Sequence, residues 1–183
     1  MHEDNPKLFH GDPSVLFSKE RVERLEIKRV VRLALEGLDI RSVLDVGTGG
    51  GLFALAFAQK GLAVAGMDVN PQMLEIARQF AAEAKFCEGK AEALPFSDGE
   101  FDLVFMGQLL HESETPLKVL EESKRVAKLR VVILESPYIK EDIGPPIEHR
   151  LKPEQVESLA KKAGFSNVET IPLSHMMLFR LTS

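Results

Sequence analysis

Cysteine is almost missing from this chain: Cys87 is the single one among 183 residues. One thiol excludes an internal disulfide and a Cys-rich zinc site, and it fits a reducing compartment. Positive charge is also in short supply, with 23 Lys plus Arg against 28 Asp plus Glu and a net charge of −5. A polyanionic backbone is therefore a disfavoured partner, and nucleic acid is not expected as one. No apolar run approaches the roughly 20 residues needed to span a bilayer, and "MHEDNPKLFHGDPSVLF" at the start is acidic and interrupted by Pro6 and Pro13. A cytoplasmic protein with no membrane insertion is expected. No two of the five histidines have metal-ligand spacing with acids nearby, so no metal is expected.

What is present alternates. Apolar strand-like runs take turns with segments of helical period, the pattern of a mostly parallel sheet covered on both faces by helices. Ile27, Val30, Val31, Ala34, Leu35 and Leu38 follow helical spacing and predict one helix from Ser18 to about Leu38. "RSVLDV" reads as strand one and "LFALAFAQK" as a buried helix with Gly61 at its C-terminal cap. "LAVAGMD" is strand two, and Asn70-Pro71 starts a helix that runs to about Ala82. "AKFCEG", "FDLVFMG" and "LRVVILE" follow as strands three to five, with a helix from about Thr115 to Ala127 before the last of them. A helix from Pro153 to Gly164 and two closing strands, about 165–171 and 175–181, complete the chain, and the last two can pair antiparallel.

Between strand one and its helix stands "VLDVGTGGG", with four glycines in five residues. A glycine-rich turn there brings backbone N–H groups and a helix N-terminus against a ligand, which suits nucleotides. The register discriminates between ligands. Asp45-x-Gly47-x-Gly49-x-Gly51 has glycines at alternate positions, whereas a dinucleotide fingerprint begun at Gly47 fails at Leu52; the match beginning at Gly49 starts too late after the strand. Asp68, at the end of strand two, is an acid that could accept from both hydroxyls of a ribose.

Four segments together resemble a known family: "VLDVGTGGG", "VAGMDVNPQMLEIAR", "EGKAEALPFSDGEFDLVF" and the "LLHE" after strand four, with a weaker echo in "LKPEQVESLAKKAGFSNVE". They resemble the class I S-adenosylmethionine-dependent methyltransferases of small-molecule type, the group that includes the ubiquinone and menaquinone biosynthesis enzymes. The resemblance implies an α/β Rossmann-like three-layer sandwich with a seven-stranded, mostly parallel sheet of order 3-2-1-4-5-7-6, strand seven antiparallel. It implies one domain over 1–183, with 1–38 as an N-terminal lid segment and helix and 39–183 as the core. It also implies methyl transfer from S-adenosyl-L-methionine to a small-molecule acceptor. Gly47, Gly49 and Gly51 would surround the amino-acid end of the cofactor, with Asp45 near its ammonium. Asp68 would take the ribose, Val69 and Met73 one adenine face, and Ala91 the ring edge beside Leu94 and Phe96; Gln108, after strand four, completes the set.

Two departures stand out. Lys90 replaces the acid that usually accepts from the adenine amino group, and lysine offers no acceptor. "VAKLRVV" lacks the usual Pro-Gly-Gly before strand five, which implies a tight connection. His111 is the candidate general base, to be weighed against a polar rim residue, and Phe9, His10, Phe17, Tyr138, Met176 and Met177 are candidates for a substrate lid. A nicotinamide-dependent oxidoreductase and a non-catalytic cofactor-binding protein remain as alternative readings, and the acceptor and a homodimer stay open.

Overall fold

The computed structural model describes residues 17–183; the expected lid residues Phe9 and His10 lie outside the described residues. The elements run α1 (Lys19–Arg24), α2 (Ile27–Leu35), β1 (Ser42–Val46), α3 (Leu52–Ala58), β2 (Ala63–Asp68), α4 (Pro71–Phe80), β3 (Lys85–Glu88), β4 (Phe101–Gly107), α5 (Pro116–Val126), β5 (Ala127–Glu135), α6 (Pro153–Lys162), β6 (Asn167–Pro172) and β7 (Met177–Thr182). The seven strands form one sheet in the order β3-β2-β1-β4-β5-β7-β6, with β7 antiparallel to both neighbours and the other pairs parallel. This is the expected topology.

The period-2 alternation of the strands builds two cores. Leu44, Val104, Ile133 and Phe179 face α5 and α6, where Val119, Leu120, Val156 and Ala160 are fully buried. Their neighbours Val43, Leu103, Phe105 and Leu178 face the other way, against Val30 and Ala34 of α2 and Phe53 and Phe57 of α3. The central strands are thus apolar on both faces, as strands covered on both sides must be.

Local signals set most boundaries. The Asn70 side chain accepts from the Gln72 N–H at 2.9 Å and Pro71 takes the first helical position of α4. With no Pro-Gly-Gly turn, α5 runs straight into β5, the strand opening at Ala127 directly after Val126. One boundary departs from expectation. The single helix from Ser18 to Leu38 is two, broken at Glu26, whose φ of 46° is left-handed. The Glu26 carboxylate accepts from the Ser174 N–H (2.6 Å), in the β6–β7 turn, and from Arg29 (2.8 Å). A contact 148 residues along the chain therefore selects a kink that helical periodicity could not reveal.

Candidate functional site

The loop between β1 and α3 is tied down at its base and open at its tip. The Gly47 and Thr48 N–H groups both donate to Met67 O (2.8 and 3.0 Å), at the end of the neighbouring β2. The Gly49 N–H donates to Asp68 Oδ2 at 2.8 Å, while the Asn70 N–H donates to Asp68 Oδ1 at 2.9 Å. Asp68 thus joins the loop to the start of α4. Burial raises its pKa against the pull of these N–H groups. With four lone-pair sites, its two oxygens retain capacity for further donors.

The glycines have different reasons to be glycine. A Cβ on Gly47 would strike Leu109 at 2.8 Å, one on Gly50 would run into the Phe17 ring, and one on Gly51 would press Ala77 of α4 at 3.1 Å. Gly51 therefore serves the close approach of α4 and lies behind the cavity rather than in its wall. Gly49, at φ +52°, has nothing within 4 Å of that direction. Its bare backbone faces open space, as a cradle for a ligand would.

The cavity over this loop is lined by Asp45, Gly47, Gly49 and Gln108 of the expected set, joined by Phe17 and Arg21. Asp45 is 2 % exposed and accepts from Thr48 Oγ1 at 2.7 Å. Burial pushes its pKa up to about 7, against the hydrogen bonds from Thr48 and the Ala54 N–H. Gln108 holds a left-handed φ of 60°, a conformation costly for a side chain of its kind. Its Oε1 accepts from Ser136 Oγ at 3.1 Å, while its Nε2 is buried with no hydrogen-bond partner among the described residues. The Arg21 guanidinium likewise makes no hydrogen bond or ion pair among the described residues; burial lowers its pKa and the charge of Glu112 opposes that. An acid and two donor groups that have no hydrogen-bond partner among the described residues converge on one cavity. That set is complementary to a zwitterion: a cation beside Asp45 and an anion beside Arg21 and Gln108.

The remaining expected contacts lie outside this cavity. Val69 follows β2 half-buried, Met73 is buried in the first turn of α4, and Ala91 is buried with Leu94 and beside Phe96. Lys90 is exposed, and the nearby Glu92 carboxylate accepts from Ser113 Oγ at 2.8 Å. His111 is not a rim residue. It is 5 % exposed, and its Nδ1 lies 2.6 Å from Oε2 of Glu135, itself 2 % exposed. Next to it, Glu112 has a pKa raised to about 7: burial is the main cause, Glu135 and Asp68 add to it, and His111 and Arg21 oppose it. Of the lid candidates, Phe17 does cover the loop. Met176 is buried in the core beneath α2 and Met177 packs on the opposite core, so neither is a lid residue; Tyr138 is exposed.

Arg21 and Glu135 escaped the sequence reading. Arg21 sits in the charged run "KERVER", where nothing distinguishes it from its solvated neighbours, and Glu135 carried one unused signal, an acid ending the apolar run "VVIL".

A family model described as a methyltransferase domain matches residues 44–133. Demethylmenaquinone methyltransferase from Thermotoga maritima is 38% identical over 112 residues, covering 59% of this chain and 48% of that protein. Ajmaline N-methyltransferase from Rauvolfia serpentina is 30% identical over 142 residues, covering 74% of this chain and 48% of that protein. The chain thus spans about half the length of the curated relatives it matches. The crystal structure of an S-adenosylmethionine-dependent methyltransferase from Aquifex aeolicus superposes with a TM-score of 0.80 at 28% identity, covering 93% of this chain and 98% of that one. With the matched region spanning β1 through most of β5 and the sheet order 3-2-1-4-5-7-6, the chain carries a methyltransferase domain of the Rossmann-like kind whose cofactor is S-adenosylmethionine.

Proposed function

We propose that this chain transfers the methyl group of S-adenosylmethionine to a small organic acceptor. The observation that carries the reading is the cavity in which Asp45, Arg21 and the Nε2 of Gln108, unpartnered among the described residues, meet beside the open backbone of Gly49. These groups match the ammonium and carboxylate of an amino-acid end, which a nicotinamide dinucleotide lacks. Asp68 would hold the ribose hydroxyls, Val69 and Met73 one face of the adenine, and Ala91 its edge.

The bound cofactor supplies an activated methyl group on a sulfonium, so the protein's main task is alignment. Holding reactants in line can remove about 7–11 kcal/mol of barrier in favourable intramolecular models. The Phe17 ring lies over Gly50 of the glycine loop, which supports a lid formed by residues 1–38. Residues 107–112 follow β4 on the acceptor side of the crevice where strand order reverses, and His111 among them is the candidate base for an acceptor that must shed a proton. Among the described residues no helix is long and apolar enough to cross a membrane. We place the reaction in the cytoplasm, exclude nucleic acid as acceptor on the net charge of −5, and regard the whole chain as one domain that light scattering would test for homodimer formation.

Calorimetry with S-adenosylmethionine, S-adenosylhomocysteine and NAD tests the cofactor: micromolar binding of the first two and hardly any of the third is expected, and the reverse order would overturn the reading. Turnover of a panel of phenols, quinols and amines then separates an enzyme from a binding protein.

A further inference from the structure

The pairing of His111 with Glu135 is built more closely than fixing a turn requires. Glu135 is the last residue of β5, whose neighbour β4 ends at Gly107, paired in register with Leu134. The Gln108 N–H donates to Leu134 O at 2.8 Å, so the chain leaving β4 stays tied to β5 until it enters the short 3-10 turn Leu110–Glu112. Both oxygens of Glu135 then take hold of one residue in that turn. Oε1 accepts the backbone N–H of His111 at 3.2 Å and Oε2 faces its ring Nδ1 at 2.6 Å. With side-chain exposures of 5 % and 3 %, water competes for neither contact.

An ionised carboxylate has no proton to offer, so the ring hydrogen of the neutral imidazole resides on Nδ1 and the lone pair on Nε2. Backbone and ring are gripped together, which fixes the ring's orientation as well as its tautomer. Among the described residues, the other charged groups of this neighbourhood include Glu112 in the same turn, Asp68 at the end of β2 and Arg21 on α1.

We infer that Glu135 is the positioning residue for His111, holding it in the Nδ1–H tautomer with Nε2 as the basic nitrogen that accepts the acceptor's proton. The inference rests on the methyltransferase reading. As the acceptor gains the methyl group it loses H⁺ to Nε2, the sulfonium becomes a neutral thioether, and the imidazolium formed is balanced by the Glu135 carboxylate. No further reactant is required. A base oriented by a third group in this way is the arrangement that acid–base catalysis by histidine calls for.

The test is two-dimensional ¹H–¹⁵N NMR of the histidine ring nitrogens in the full chain, wild type and Glu135→Gln, over a pH series. The wild type is expected to show His111 as the Nδ1–H tautomer when neutral. In Glu135→Gln the amide preserves shape without charge, so the ring's titration midpoint is expected to fall by about one pH unit or more. S-adenosylhomocysteine affinity is expected to stay within about twofold, since Glu135 lies outside the cofactor cavity. A wild-type Nε2–H tautomer, or an unchanged midpoint in the variant, would overturn the proposal. Should the variant fail to fold, the wild-type tautomer decides alone. Wild-type chain that binds no S-adenosylhomocysteine refutes the methyltransferase reading, a result independent of the tautomer. For an acceptor that must lose a proton, the pH profile of kcat should move with the ring midpoint in Glu135→Gln, which a merely structural pair would not produce.

Discussion

Replacing Asp45 by asparagine should make the ligand-free protein more stable at neutral to alkaline pH while weakening its hold on the cofactor. The carboxyl is 2 % exposed, and burial lifts its pKa from 3.8 to about 7. At about 1.4 kcal/mol per pH unit, ionising it inside the folded chain costs about 4 kcal/mol once the pH exceeds that value. The unfolded chain releases this proton first, near pH 3.8, so between there and about pH 7 the native state binds more protons than the unfolded one. Stability from this group therefore falls as pH rises through that window, and the whole penalty is present above it. Asparagine removes the slope and keeps an oxygen for the hydroxyl of Thr48 and the Ala54 N–H. Allowing for its extra amide donors, a gain of about 1–3 kcal/mol at about pH 8 is expected, with wild type and variant converging near pH 4. For a chain of this size each kcal/mol moves Tm by about 2–4 °C, so thermal melts of both proteins at several pH values resolve the effect.

The same substitution removes the charge proposed to face the ammonium. Calorimetry should show S-adenosylhomocysteine affinity falling about tenfold or more, the worth of a charged hydrogen bond of roughly 1.5–3 kcal/mol. In the wild type, affinity should weaken by up to about tenfold per unit as pH drops below about 7, because binding must then expel the Asp45 proton. A variant less stable than wild type at about pH 8, with the difference independent of pH, would refute the idea of a buried acid kept for function at the expense of stability.

Asp68→Ala removes the acceptor that joins the loop to α4 and that we propose holds the ribose; affinity should fall at least about tenfold with circular dichroism unchanged, and unaltered calorimetry would dismiss the ribose assignment. Gly49→Val should abolish cofactor binding, because its side chain would occupy the open space over the loop at a φ of +52°; wild-type binding would reduce the loop to a tight turn. Lys90→Asp should tighten cofactor binding by roughly 0.5–1.5 kcal/mol, since it adds an acceptor where lysine has none and the carboxylate of nearby Glu92 already accepts from Ser113; weaker binding would give Lys90 a task of its own. His111→Ala should lower kcat by about 10²-fold or more for an acceptor that must lose a proton, with little change in cofactor affinity; equal loss of both would move His111 into the cofactor site.

The architecture was legible because its determinants are local. Period-2 runs such as "VLDV" and "FDLVF", helical runs between them and the Asn70-Pro71 start each act within a few residues, and together they dictate a two-faced sheet and its strand sequence. The glycine register was legible for the same reason: at Gly47 and Gly49 the backbone itself adopts left-handed φ values of 68° and 52°. Gly51 shows the limit: the resemblance put it around the amino-acid end of the cofactor, whereas its close neighbour is Ala77 of α4 and it does not line the cavity.

What the fold decided was which distant residues meet. Arg21 enters the cavity from a charged helix because Glu26, held by Ser174, bends the chain after α1; Glu135 reaches His111 because β5 lies beside β4; Met176, a lid candidate on sequence, is drawn into the core by the return of β7. Sequence by itself determined most of the elements, since periodicity and backbone conformation are properties of short segments, and its motifs carried the resemblance that implied the sheet order. Only the tertiary structure assembled Asp45, Arg21 and Gln108 into one cavity and seated His111 on Glu135, because burial and charge pairing depend on strand order and loop path, which no short segment contains.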